Sequence, residues 1–352
     1  MCHVSESGGG ARTNFGYNFA RDASFWTPND IKFLEHINDN QLFDGLILFG
    51  FDYRHQSTSS HKVANPTRKY YPMQASFYAS INPLQSLSIQ GQYNVGPIIF
   101  EGQKKWAASL RWQPVDDLPY LRVGYFQPAM GLREPDMTSL DRRVAGPEGT
   151  VNLIAPDFAD LGAELGYDAL DWLTLQLGVF NNQTLKEISV FGDMVPLIPD
   201  NDKTVASRIV LRPDFIRNYL PEFFVGASNL ICGIFTYNTA FVGFNPYEDF
   251  MFLFKFANSN KAFARYTQSY TASLTYLAMP GLMLNLNGQY GYADMLWENS
   301  TKRYLLEPNV WQASLGTKFF ITPFIELIAE YRYLQCTEYR SGRWLAQIHL
   351  YY

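Results

Sequence analysis

Residues Met73 to Ile81 read M-Q-A-S-F-Y-A-S-I, and Leu87 to Val95 read L-S-I-Q-G-Q-Y-N-V. In the first stretch Met73, Ala75, Phe77, Ala79 and Ile81 fall on one face, with Gln74, Ser76 and Ser80 on the other. In the second, Leu87, Ile89, Tyr93 and Val95 oppose Ser88, Gln90, Gln92 and Asn94. A period of two is the signature of a β-strand with one apolar and one polar face. The same alternation recurs down the chain. Trp106, Ala108, Leu110 and Trp112 oppose Lys105, Ser109 and Arg111. Leu161, Ala163, Leu165 and Tyr167 oppose Glu164 and Asp168, and Leu173, Leu175, Leu177 and Val179 oppose Thr174 and Gln176. Leu282 to Tyr290 oppose Asn285, Asn287 and Gln289, and Trp311 to Phe319 oppose Gln312, Ser314 and Lys318. Ile325 to Tyr331 oppose Glu326, Glu330 and Arg332, and Trp344 to Tyr352 oppose Gln347 and His349.

Three features separate a membrane barrel from a soluble sandwich. The runs span about nine to twelve residues, the length a tilted strand needs to cross a bilayer. Aromatic residues sit at run ends, as at Trp106, Trp112, Tyr167, Trp311, Tyr331, Trp344 and Tyr352, where an interfacial girdle would place them. Short connections at 82–83, 113–119, 168–171, 279–281 and 322–323 alternate with longer polar stretches at 55–68, 96–104, 128–159, 181–203, 294–308 and 335–342. The fold expected is therefore all-β, a transmembrane antiparallel up-and-down barrel with lipid outside and a wet interior. About fifteen strands are countable, the first at Ile47 to Tyr53. An even number is required if both termini lie on one side, and the segment 224–257 then holds one strand or three. The total is fourteen or sixteen, with sixteen favoured.

Composition agrees. The chain has 352 residues, 16% aromatic and only 17% charged, with a mean hydropathy of −0.17 and a net charge of −5. That balance offers no basic footprint for nucleic acid, and no run of eighteen apolar residues suggests a membrane helix. Residues 1–42 are expected as an N-terminal periplasmic or plug segment, and 43–352 as the barrel. Within the former, Thr27 suits an N-cap, Pro28 the first helical position and Asp30 the positive end of the dipole, which predicts a short helix before the first strand.

Catalytic constellations are sparse. His3, His36, His55, His61 and His349 form no metal-ligand spacing, and neither G-x-S-x-G nor a phosphate loop occurs. Enzymatic activity is not expected. Cys232 and Cys336 read as inert residues, one on a strand and one in a loop. The stretch G-L-R-E-P-D-M-T-S-L-D-R-R-V-A-G within 128–159 carries Arg133, Asp136, Asp141, Arg142 and Arg143. Folded into a barrel, such charges would form a constriction whose field sorts ions.

Taken whole, the chain resembles Gram-negative outer-membrane porins, and its final strand W-L-A-Q-I-H-L-Y-Y resembles the assembly signal of that class. The opening C-H-V-S-E-S-G-G-G-A-R-T-N-F-G resembles, more narrowly, porins whose N-terminus carries a c-type haem motif, C-x-x-C-H, followed by glycines. G-Y-F-Q-P-A-M-G-L-R-E-P-D-M-T-S also resembles a stretch common in them. Those barrels belong to porin–cytochrome electron conduits. The first resemblance implies a channel for small hydrophilic solutes or ions in the outer membrane, in contact with lipid and able to associate with further copies of itself. The second implies haem c bound through Cys2, with His3 as iron ligand, and a multihaem c-type cytochrome as partner. It departs from the pattern at the first cysteine, which would have to lie two residues before Met1, and an export signal is likewise expected upstream.

Overall fold

The computed structural model describes residues 24–27, 30–32, 41–61, 66–98, 102–132, 140, 143–146, 149–152, 154, 157–188, 201–217, 219–220, 222–260, 264–299, 302–306, 309–336 and 340–352. Sixteen antiparallel strands form a closed barrel. They are β1 (Ile47–His61), β2 (Pro66–Leu84), β3 (Leu87–Asn94), β4 (Trp106–Trp112), β5 (Tyr120–Phe126), β6 (Asp160–Leu170), β7 (Leu173–Phe180) and β8 (Thr204–Leu211). Then come β9 (Phe224–Cys232), β10 (Phe235–Tyr247), β11 (Phe250–Asn260), β12 (Ala264–Met279), β13 (Leu282–Asn299), β14 (Asn309–Thr322), β15 (Ile325–Cys336) and β16 (Arg340–Tyr351). Each strand pairs with its neighbours in sequence, and β1 pairs with β16 from Asp52↔Tyr351 to His61↔Gly342. Closure leaves no edge, which a strand in hydrocarbon cannot tolerate.

The two faces of the wall are inverted relative to a soluble protein. Large apolar side chains point outward, with Leu315 64% exposed and Leu177 55% exposed. Polar side chains point inward and are buried, among them Gln74, Ser109, Gln176, Gln289 and Ser314. This arrangement is stable only when the outer solvent is lipid. The strands and the apolar band together make the chain a membrane-spanning barrel in contact with lipid.

The segment 224–260 contains three strands, β9, β10 and β11, which brings the total to sixteen. Their joins are minimal: Gly233 and Ile234 link β9 to β10, and Glu248 and Asp249 link β10 to β11. Gly233 adopts φ 55°, a conformation glycine tolerates without a Cβ penalty.

Three expectations need correcting. Within the 55–68 stretch, His55 to His61 and Pro66 to Arg68 are strand rather than loop. β1 and β2 stay paired from Ile47↔Ile81 to His61↔Pro66, so the polar H-Q-S-T-S-S-H lies within a strand. The Asn82-Pro83 turn is displaced: β2 runs on to Leu84, past a register irregularity after Ile81, and turns at residues 85–86. Met73 does not face lipid. A bulge where Arg54/His55 meet Gln74/Pro72 shifts the alternation, and Met73 is buried against the lumen while Phe77 and Ile81 stay outside.

The connections 85–86, 113–119, 171–172, 212–223, 248–249, 280–281 and 323–324, all but 212–223 short, define one end of the barrel. The connections 95–105, 127–159 and 181–203 lie at the other, and the last two are the longest. Residues 24–27 attach to the turn end. Phe25 and Trp26 donate their backbone N–H groups to Phe320 and Ile321 oxygens at 2.9 and 3.0 Å, and the Phe25 ring meets Phe319 edge-on.

The expected helix begins as read but is described only at its start. The Thr27 amide and hydroxyl both donate to Asp30 Oδ2 at 2.9 Å, while Asp30 and Ile31 amides bond to the Thr27 oxygen. These bonds, the backbone one foremost, lower the Asp30 pKa. The rest of residues 33–40 lies outside the described residues. Cys336, expected in a loop, is instead the last residue of β15, and both Cys232 and Cys336 are buried and unbonded to each other.

Candidate functional site: the lumen and its constricting loop

The 127–159 loop enters the barrel, and three strands hold its first part. The Gly131 amide donates to Ser228 Oγ on β9 at 2.7 Å, and Arg208 Nε on β8 donates to the Gly131 oxygen at 2.9 Å. Ser228 is itself within 2.7 Å of Thr239 on β10. Gly131 has φ 53° and a Cβ there would approach Thr239 at 3.4 Å, so the backbone can lie close to the wall.

The loop then reaches a different wall. The Leu140 amide donates to Gln289 Oε1 on β13 at 3.1 Å, an oxygen that also accepts from Gln312 of β14. A short hairpin, Arg143–Gly146 with Gly149–Asn152, lies beside β13. Gly131 and Leu140 are thus anchored on different walls of the barrel. Among the expected constriction residues, Arg133, Asp136, Asp141 and Arg142 lie outside the described residues, and of Arg143 only the backbone is described. Cys2 and His3 lie outside them as well.

The interior is not uniformly wet, as the polar stripes had suggested. Toward the loop end Leu230, Cys232, Phe235, Tyr237 and Ala257 point inward from β9–β11. They pack with Met130, Ile154, Phe158, Leu185 and Ile188 from the long loops in a small apolar core. Polar contacts reinforce it. A short helix α1 (Gln183–Glu187) is tied down by Thr184, whose amide donates to Asp160 at 3.1 Å and whose hydroxyl donates to the Ala159 oxygen at 2.6 Å. Lys104 forms an ion pair with Glu187. Burial opposes the Lys104 ammonium, but Glu187 and Tyr125 together more than offset it and the pKa is raised. Three loops are thus clamped together over one side of the lumen.

The two sides of the lumen differ in chemistry. Along β4–β8 stand Arg111, Arg122, Arg208 and Arg212. Arg111 lies 4.3 Å over the Tyr120 ring and 3.4 Å from Asp168. Arg122 lies 4.2 Å over Phe126 and donates to Ser109 and Gln90. Arg208 also donates to Gln176, which donates in turn to the Tyr120 hydroxyl, and that hydroxyl donates to Glu164. Stacking and hydrogen bonding hold these guanidiniums rigid while leaving their charge in the lumen. Along β12–β16 the lining is mainly amide and hydroxyl, around a cavity of about 260 Å³.

Sequence reasoning placed the constriction on the loop charges alone. It missed the wall residues as a functional set, although Arg111, Glu164, Asp168, Lys318, Glu326, Glu330 and Arg332 already stood on polar stripes. What the alternation could not supply was which strands lie next to the open path.

The closed sixteen-stranded wall, inverted faces and inward loop together define the fold class of outer-membrane channel barrels. Known structures agree on that fold. OprB of Pseudomonas putida, in a structure at high pH, superposes with a TM-score of 0.62 at 12% identity, covering 94% of this chain and 99% of that one. The outer-membrane channel DcaP of Acinetobacter baumannii gives 0.57 at 10% identity, with 90% and 100% covered. An anion-selective porin from Comamonas acidovorans gives 0.57 at 7%, with 87% and 99% covered. No family model and no curated relative matches the sequence.

Proposed function

We propose that the protein is an outer-membrane diffusion channel passing small hydrophilic solutes and ions, constricted by the 127–159 loop. The two anchors, Gly131 on Ser228 and Leu140 on Gln289, support this reading, because loop backbone held against two separate walls inside the barrel narrows the path without closing it. Arg133 and Asp136 fall between the two anchors in sequence, and Asp141, Arg142 and Arg143 follow directly. The arginines of β4–β8 give the path a cationic side. No bond-making chemistry is needed for this task.

Reconstituted in a planar bilayer, the protein should give discrete conductance steps in potassium chloride. Replacing Arg133, Arg142 and Arg143 together by Gln turns the charge of the five loop residues from +1 to −2. The reversal potential in a salt gradient should then move toward cation preference. A reversal potential that does not move would place these charges away from the ion path.

A finer proposal concerns the N-terminus. The Cys2-His3 pair and the glycines after it support a covalent c-type haem, which would make the barrel part of an electron conduit with a multihaem cytochrome. Protein from a native host should then stain for haem after denaturation, and the Cys2→Ala variant should not. Absence of stain in the unaltered protein leaves the channel reading intact and removes the conduit.

A further inference from the structure

Facing strands β12, β13 and β14 bring their polar stripes into register as rows. One row is Ser273–Asn287–Ser314 and the next is Thr275–Asn285–Gly316. Glycine at 316 leaves a gap in the second row, and a Cβ there would press on Glu330 at 3.0 Å. All of these but Ser314 line the 260 Å³ cavity, together with Lys318 one step toward the turn end. Beyond Lys318 its own row continues through Ile328 to Gln347.

The hydrogen-bond inventory shows what remains for a solute. Asn285 Oδ1 accepts from Thr275 at 2.9 Å, which leaves the two Nδ2 hydrogens. Asn287 Nδ2 donates to Ser314 at 3.2 Å, which leaves Oδ1 as an acceptor. One row therefore offers donors and the next an acceptor, a combination that suits hydroxyl groups, which both give and take. No hydrogen bond of the Lys318 or Gln347 side chain is seen among the described residues, although Lys318 lies within electrostatic reach of Glu326. The other charges nearby are engaged. Arg332 Nε donates to Glu330 at 2.6 Å, and Glu326 and Asp52 both contact His349. The Lys318 ammonium then has N–H groups to give an anion in this cavity, with the Gln347 amide on the same row.

We propose that this cavity is a binding station on the transport path for a small polyhydroxylated carboxylate of the sugar-acid type. Lys318 and Gln347 take the carboxylate, and Asn285 and Asn287 take the hydroxyls. Ile328 and Leu345, which also line the cavity, offer an apolar surface to the solute's C–H face. A simple carboxylate lacks the hydroxyls, and an uncharged polyol lacks the anion.

This rests on the channel reading, and the test separates the two. Single-channel current in potassium chloride reports whether a pore exists; a protein without conductance steps overturns the channel and the station together. In a conducting channel, gluconate, acetate and sorbitol are added in turn and the current block is titrated. Gluconate should block at about tenfold lower concentration than either of the others, the scale of one charge-assisted hydrogen-bond set. Lys318→Gln should remove that advantage and Lys318→Arg should retain it. Equal block by sorbitol and gluconate would overturn the carboxylate assignment, and equal block by acetate would overturn the role of the hydroxyl rows. A Lys318→Gln channel that still favours gluconate would overturn the station at this lysine.

Discussion

Leu286→Arg should destabilise the barrel by about 2–4 kcal/mol, the cost of arginine at the lipid-facing midplane of an outer-membrane barrel. Leu286 is outward and half exposed to the surrounding lipid, flanked in register by Leu274 and Leu315. Aromatic residues bound its height on both sides. Tyr270, Tyr290 and Trp311 form one contiguous row toward the loop end, and Phe319 lies opposite Leu282 near the turn end. Leu286 stands midway between these rows. Leu284 is one outward step closer to the turn end, paired with Tyr276, so Leu284→Arg should cost less than Leu286→Arg because its guanidinium can reach the interface. Asn287→Arg should cost least of the three, since Asn287 faces water in the lumen. Urea titration of refolded protein in vesicles, followed by tryptophan fluorescence, would rank the variants. Equal losses at 286 and 287 would mean that the wall does not present alternate residues to lipid and water.

The alternation was legible in sequence because lipid and water reverse the usual pattern but keep its period. Stretches such as Leu173 to Val179 name their own outer face. Legibility failed where strand chemistry departed from alternation or where a join was too short to notice. In L-I-C-G-I-F, Leu230 to Phe235, both faces are apolar: Ile231 meets lipid while Leu230, Cys232 and Phe235 enter the internal core. A two-residue turn inside that run leaves no polar gap, so two strands read as one. The opposite error occurred at His55 to His61, where a strand polar on both faces resembled a loop. The candidate site was half legible. The loop with Arg133 to Arg143 advertised itself by length and charge, but its anchors, Ser228 and Gln289, are ordinary polar-stripe residues until the barrel closes around them. Lys318 and Gln347 stand 29 positions apart in sequence and share a row only because β15 lies between their strands.

His349→Ala should weaken the closing seam by several kcal/mol and is the largest single effect expected inside the lumen. His349 sits on the last strand with Nδ1 2.8 Å from Glu326 of β15 and Nε2 2.7 Å from Asp52 of β1. One side chain thereby joins three strands, linking residues 297 positions apart, on the seam where the first strand meets the last. That junction carries the greatest loop-closure cost in the barrel, so bonds across it count against the longest connection. Removing the imidazole leaves Asp52 and Glu326 facing the same buried space without the donor they shared. Stripping one partner from a buried ionic set typically costs about 3–5 kcal/mol, and the wet lumen places this case toward the lower end. The loss should be recovered in part by Asp52→Asn or Glu326→Gln in the His349→Ala background, because the stranded charge is then gone. Equilibrium urea unfolding of the single and double variants gives the coupling. Full stability in His349→Ala, or no recovery in either double variant, would show that hydrogen bonds of the β1–β16 backbone ladder alone hold the seam.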